Sequence, residues 1–275
     1  MAEIKRVGLI GLGKMGMPMG RLMAAKGFSV TGFDLRPDAL AAAKKLGVGS
    51  VATPAAVAAA SDLTIVVVGF DSDVETALFA KDGVLAGAKR GSVVAVASTI
   101  APGTMKDIGE RASGSGVALL DIPLCRGEGA AEAGKLLIMG GGDKEAFEAS
   151  RPAFAAFADA IYYLGPLGAG QVGKMVNNLI LWACISADNE GLGLAAKLGV
   201  ELGPLRQALV DSSAGNWALA NEIWKYPMPW AEKDMGIVLK EADEARLSLP
   251  LCGVVKEVVK GLKIARGEGM PEAGG

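Results

Sequence analysis

Residues Gly11 to Gly16 read Gly-Leu-Gly-Lys-Met-Gly and fit the spacing GxGxxG. The chemistry this spacing supports is the holding of a pyrophosphate. Gly11 permits a tight turn, Gly13 lets the backbone approach the anion, and Gly16 lets the following helix pack closely on the preceding strand. The free N–H groups at that helix start and its positive dipole end favour the same ligand. Leu12, Lys14 and Met15 complete the loop. The pattern alone is weak in a chain with 39 glycines. Its context strengthens it: an apolar strand candidate precedes it, a helix candidate follows, and Asp34 closes the next strand. A carboxylate there accepts hydrogen bonds from the adenosine ribose. Its charge repels a 2′-phosphate, which favours NAD and leaves NADP possible. Arg36 could pair with that phosphate, but is read here as lying over the adenine.

A second group with chemical potential is Lys174, followed four residues later by Asn178 and preceded by Gly168-Ala169-Gly170-Gln171-Val172-Gly173. On a helix this spacing puts lysine and asparagine on one face. Both are costly beside an otherwise apolar helix unless they line a cleft. An exposed lysine amine titrates near ~10.4, and partial burial lowers that toward working pH, which suits a general acid–base. Asn178 would orient a hydroxyl or carbonyl. Spacing alone equally allows a lysine on an exposed first turn.

Other chemistries are excluded. The chain has no His, hence no Ser-His-Asp triad, Cys-His dyad or His-bearing zinc site. No GxxxxGK is followed by Ser or Thr. Tyr162, Tyr163 and Tyr226 have no Lys four residues on, so Tyr-Lys acid–base chemistry is unavailable. With 28 Lys+Arg against 30 Asp+Glu the chain lacks a nucleic-acid binder's basic footprint. Cys125, Cys184 and Cys252 are far apart, so a reducing cytoplasm is the expected location. No run reaches the ~18 apolar residues that cross a bilayer. The glycines and Lys14 in the N-terminal apolar stretch argue for a first strand over a signal peptide.

The elements that must position these groups follow from the hydrophobic pattern. Short apolar runs predict buried parallel strands at Val7–Ile10, Phe28–Phe33, Leu63–Val68, Ser92–Ala97, Val117–Asp121 and Leu136–Met139. Helices are predicted between them at Met15–Ala25, Asp38–Leu46, Pro54–Ala60, Val74–Phe79, Thr104–Arg111 and Lys144–Phe157. Beyond Gly165 only helices are expected. These are Gly170–Leu198, largely buried because its middle is apolar nearly all round, then Leu205–Asp211, Trp217–Lys225, Glu232–Arg246 and Leu251–Ala265. Gly267–Gly275 reads as a frayed tail. The expectation is an α/β protein: a Rossmann-type doubly wound sheet over residues 1–165 and an all-helical domain over 166–275, joined by a long helix.

Four segments, in order, resemble the β-hydroxyacid dehydrogenase family. Gly11 to Met19 is similar to its cofactor signature, and Ser98-Thr99-Ile100-Ala101-Pro102 to its segment beside the nicotinamide ribose. Gly168 to Asn178 resembles its catalytic-lysine segment, with Lys174 and Asn178 on the family's Lys and Asn. Lys233-Asp234-Met235 resembles a segment whose Lys reaches cofactor and substrate. The resemblance implies a dehydrogenase interconverting a short 3-hydroxy acid and its semialdehyde with NAD(P) and no metal, and a helical domain used in oligomerisation. A homodimer or homotetramer is expected.

One loop departs from the family's Asp-x-Pro-Val-Ser-Gly-Gly. It reads Asp121-Ile122-Pro123-Leu124-Cys125-Arg126-Gly127, so Cys125 replaces a serine and Arg126 a glycine. The resemblance makes Cys125, Arg126, Gly127 and Asn177 substrate-side residues. Arg126 offers a planar fork for a carboxylate or sulfonate, as a similar arginine does in sulfolactaldehyde reductases of this family; the alternative is an arginine in solvent or paired with Glu128. Cys125 is read as a small packed side chain. A dinucleotide-binding protein without catalysis and an imine reductase are the competing functions.

Overall fold

The computed structural model describes residues 3–271. They fall into two compact units that divide between Lys174 and Met175.

The first unit holds nine strands: β1 (Arg6–Ile10), β2 (Ser29–Phe33), β3 (Gly49–Ser50), β4 (Leu63–Val66), β5 (Val93–Val96), β6 (Ala118–Asp121), β7 (Leu124–Cys125), β8 (Leu136–Gly142) and β9 (Ala158–Gly165). Its helices are α1 (Gly16–Ala25), α2 (Pro37–Lys45), α3 (Pro54–Ala60), α4 (Asp71–Phe79), α5 (Val84–Gly87), α6 (Pro102–Arg111), α7 (Gly127–Ala133) and α8 (Lys144–Phe154). The strand order is β3-β2-β1-β4-β5-β6-β8-β7, with β9 also paired to β8. The chain therefore winds outward from β1 in one direction and returns beside it as β4. That reversal opens a crevice at the carboxyl end of β1, where such sheets bind ligands.

Both faces of the sheet are covered. Val93 and Ala95 enter one apolar cluster while Val94 and Val96 enter the other, so successive residues of one strand serve opposite layers. This is why the strands read as unbroken apolar runs.

Around β8 and β9 the structure differs from the sequence expectation. Strand β8 is antiparallel to β6 and β7, so the sheet is mixed. Helix α8 stops at Phe154, and the chain turns there through Phe157 N–H donating to the Phe154 carbonyl. Strand β9 then follows as an edge strand, with Tyr162 and Leu164 exposed. Its half-exposed pattern lacks the continuous apolar run that marks the central strands.

The long helix α9 (Ala169–Lys197) begins in the first unit and continues into the second. It is less buried than its composition predicts. Trp182 and Ile185 join the core of the second unit, while Ile180 and Leu194 are exposed. Leu181, Ala183 and Cys184 pack on that core only partly buried.

The second unit continues with α10 (Leu202–Val210), α11 (Trp217–Ala220), a 3₁₀ turn at Ile223–Lys225, α12 (Ala231–Glu244) and α13 (Pro250–Ala265). The single helix predicted for Trp217–Lys225 is thus broken. Glu222 sits between its two pieces in the left-handed region, φ 51°. Lys263 on α13 is fully buried. Its Nζ lies 3.0 Å from Glu232 Oε1 and donates to the Pro229 carbonyl at 3.1 Å, with the Met270 sulfur 3.7 Å away. A dry ammonium is stable only when paired and bonded in this way. The segment after α13 is therefore held: Glu268 accepts from Met228 N–H at 2.8 Å. Of the expected frayed tail, residues 272–275 lie outside the described residues.

Candidate active site

The loop between β1 and α1 has the geometry a dinucleotide cradle needs. Gly11 has φ +96°, and a Cβ there would stand 2.2 Å from the Val67 carbonyl oxygen. A Cβ on Gly16 would stand 2.0 Å from the Gly11 oxygen, so neither position admits a side chain without backbone movement. At Gly13 only the tip of Arg36 comes within 3.9 Å, leaving that backbone open to an approaching phosphate. Asp34, at the end of β2, accepts from Leu12 N–H at 2.7 Å and from Arg36 N–H at 2.9 Å. The carboxylate thus ties the phosphate loop to the next strand and has lone pairs left for ribose hydroxyls. Arg36 turns its own Nε back to Asp34 at 3.3 Å. Lys14 is exposed and pairs with Glu128 at 3.1 Å. Met15 caps the start of α1 without a side-chain hydrogen bond. These residues fit a dinucleotide.

Ser98 follows β5 and is buried. Its Oγ accepts from Val68 N–H at 2.8 Å. Thr99 beside it is partly buried.

Lys174 stands near the start of α9, and its Nζ lies 3.8 Å from Cys125 Sγ on β7. The two segments that the sequence marks as catalytic and substrate-side are therefore brought together within the first unit. The start of α9 is fixed by Asp121, fully buried at the end of β6. Its carboxylate accepts from Gly168 N–H at 2.8 Å and from Gln171 N–H at 2.7 Å. Burial pushes this carboxyl above its ordinary value, and the backbone N–H bonds oppose that. Gln171, 1% exposed, donates from Nε2 to the Ser98 carbonyl at 2.8 Å and accepts at Oε1 from Ile100 N–H at 3.2 Å. Asp121 and Gln171 were not singled out as site residues from the sequence. The available signal was an acid ending an apolar strand and a lone amide in the glycine run before Lys174.

Arg126 and Gly127 both have positive φ, 81° and 73°. The Arg126 fork does not pair with Glu128. Its Nη1 donates to Asp159 Oδ1 at 2.5 Å and to the Lys135 carbonyl at 3.0 Å. Asp159, on β9, is a partner that the sequence reading missed.

The remaining candidates lie in the second unit. Asn178 is buried, and its Oδ1 accepts from Asn177 Nδ2 at 3.0 Å. Lys233 Nζ lies 5.4 Å from the centre of the Trp230 ring. The neighbouring Asp234 accepts from Trp182 Nε1 at 3.0 Å. Among the described residues, no cluster of Cys, Asp and Glu is arranged to hold a metal ion, and no helix is long and apolar enough to cross a membrane.

Residues 6–165 match the family described as the NAD binding domain of 6-phosphogluconate dehydrogenase, and residues 168–272 that described as NAD-binding of NADP-dependent 3-hydroxyisobutyrate dehydrogenase. The chain belongs to the β-hydroxyacid dehydrogenase family. It is an NAD(P)-dependent oxidoreductase acting on a CH–OH group, and its cofactor is NAD or NADP. It is 31% identical to a 3-hydroxyisobutyrate dehydrogenase of Pseudomonas aeruginosa, over 92% of this chain and 90% of the relative. It is 35% identical to an NAD-dependent L-serine dehydrogenase of the same organism, over 82% and 74%. A crystal structure of 3-hydroxyisobutyrate dehydrogenase from Salmonella typhimurium superposes with a TM-score of 0.83 at 28% identity, covering 94% of each chain.

Proposed function

We propose that the protein interconverts a short 3-hydroxy acid, or the analogous hydroxysulfonate, and its semialdehyde, with Lys174 as general acid–base. The observation that carries this reading is the Lys174 amine set 3.8 Å from the loop residue Cys125. Relatives named for 3-hydroxyisobutyrate, 2-(hydroxymethyl)glutarate and L-serine support the substrate class, since each of those molecules has a hydroxyl β to a carboxylate.

Gly11 to Gly16 would hold the pyrophosphate and Asp34 the adenosine ribose, with Arg36 over the adenine. Ser98 and Thr99 would face the nicotinamide ribose, and Lys233 would add a cofactor contact. The negative charge of Asp34 favours NAD. When bound, the nicotinamide supplies the hydride acceptor for oxidation and the donor for reduction. Lys174 takes the hydroxyl proton in one direction and returns it in the other. Arg126, Gly127, Asn177 and Asn178 orient the acid, with Cys125 packed beside them. Fixing the reacting carbon in this way can supply ~7 kcal/mol of the barrier.

The protein is read as a homo-oligomer, dimer or tetramer, in the cytoplasm. Exposed Leu198, Leu251, Val254 and Ile264 in the second unit support association, and three free cysteines suit a reducing compartment.

The test is turnover of 3-hydroxyisobutyrate, L-serine and a 3-hydroxysulfonate with NAD+ and NADP+. At least one should be oxidised. Lys174→Ala should lower kcat by about 10²–10⁴-fold while NADH still binds, as read by nicotinamide fluorescence. NADH binding with no turnover of any of them would leave a dinucleotide-binding protein without this catalysis.

A further inference from the structure

The start of α9 is already capped. Asp121 takes the N–H groups of Gly168 and Gln171, so the helix needs nothing more from the Gln171 side chain. That side chain is nonetheless engaged elsewhere, through both its amide nitrogen and its amide oxygen. It reaches across more than 70 positions of sequence, giving its N–H to the Ser98 carbonyl and accepting from Ile100 N–H. Ser98 is gripped from its other end too, by Val68 N–H on its hydroxyl. Lys174 comes three residues after Gln171, one turn along the same helix.

We propose that Gln171 is a positioning residue. Its amide bridge to Ser98 and Ile100 fixes where the Lys174 amine stands relative to the Ser98-Thr99 segment. This rests on the reading of Lys174 as acid–base. The bridge needs one donor and one acceptor at the end of a two-methylene arm, which glutamine provides. Methionine provides neither, an ionised glutamate has only acceptors, and a protonated glutamic acid has one of each. The buried setting makes the arrangement strict, because an unpaired carbonyl or N–H there has no water to turn to.

The experiment follows the rate over pH. Gln171→Glu, assayed with whichever hydroxy acid above the parent oxidises fastest, should run at least about tenfold below the parent in kcat at pH 8, with the KM for cofactor changed less than about twofold. Its ratio to the parent should climb toward one as acid protonates the new carboxyl. Gln171→Met should show a deficit that does not recover with acid. In the Lys174→Ala background neither change should slow the reaction further, because residues acting as one unit do not add. Should Gln171→Met fail to fold, the Gln171→Glu pH series decides alone. A ratio that stays flat with pH, a loss confined to the cofactor KM, or losses that add to Lys174→Ala would overturn the proposal. If the parent oxidises none of the hydroxy acids, the acid–base reading fails and this proposal with it. If the parent turns over and Gln171→Glu matches it at every pH, only the positioning role fails.

Discussion

Arg126 occupies a backbone conformation that glycine adopts freely and arginine does not, at φ 81°. A left-handed arginine costs about 1–2 kcal/mol, so something must hold it. Asp159 and the Lys135 carbonyl do so, both through Nη1. An anionic substrate that uses the Arg126 fork must therefore share it with Asp159. Two opposite outcomes follow on our reading of the loop. Arg126→Ala should raise the KM for anionic substrates by about tenfold or more, the scale of one lost charge-assisted bond. Asp159→Ala should lower that KM by releasing the fork. Steady-state kinetics on the two variants checks both signs, and equal effects would exclude a substrate role for the guanidinium.

At the scale of elements, the junction of β6, β8 and α9 is where chemistry depends on close packing. A Cβ on Gly170 would stand 2.5 Å from the Met139 carbonyl oxygen and 2.8 Å from that of Asp121, so the start of α9 lies directly against the middle of β8 and the end of β6. Gly170→Ala should push the helix start away, costing about 1–3 kcal/mol of stability. It should also lower kcat, since Lys174 rides on the same turn. A thermal melt and a rate assay together test this. Much of this architecture was legible in the sequence. The apolar runs of β1, β4 and β5 and the glycine loop after β1 have local signatures. Strand β9 does not, because an edge strand alternates and its tyrosines are half in solvent. The antiparallel turn of β8 depends on pairing across the sheet, which no local pattern encodes. Among the candidate residues, Asp34 stands out by its place after the second strand, whereas spacing leaves Lys174 equally readable as an exposed lysine and the family resemblance singles it out. The Arg126–Asp159 and Gln171–Ser98 pairings join residues more than 30 positions apart, beyond any periodicity.

For the molecule as a whole, the absence of histidine removes the side chain that ordinarily titrates between pH 5 and 8. Acid sensitivity must come from carboxylates. Asp62 is the clearest case, its carboxyl lowered from 3.8 to about 2, chiefly by its hydrogen bond to the Arg6 guanidinium. It also accepts from the Lys5 and Arg6 N–H groups, at 3.1 and 2.9 Å, joining the chain at β1 to the start of β4. A carboxyl lowered on folding stabilises the protein above its unfolded value and loses that contribution as pH falls through the folded one. Thermal stability should therefore fall between about pH 4 and pH 2. Asp62→Asn should melt lower at neutral pH and show a shallower acid decline, as scanning calorimetry would measure.

The fully buried Lys263 carries a consequence for how this chain can be cut. Its charge is kept from water partly by Met270, and the nearby turn is anchored by Glu268, both beyond the last helix. A protease nicking the backbone after Arg266 would remove no loose end. It would flood a dry cation and release a knot of polar groups at the foot of α12, so Glu268 and Met270 act as a plug rather than a fringe.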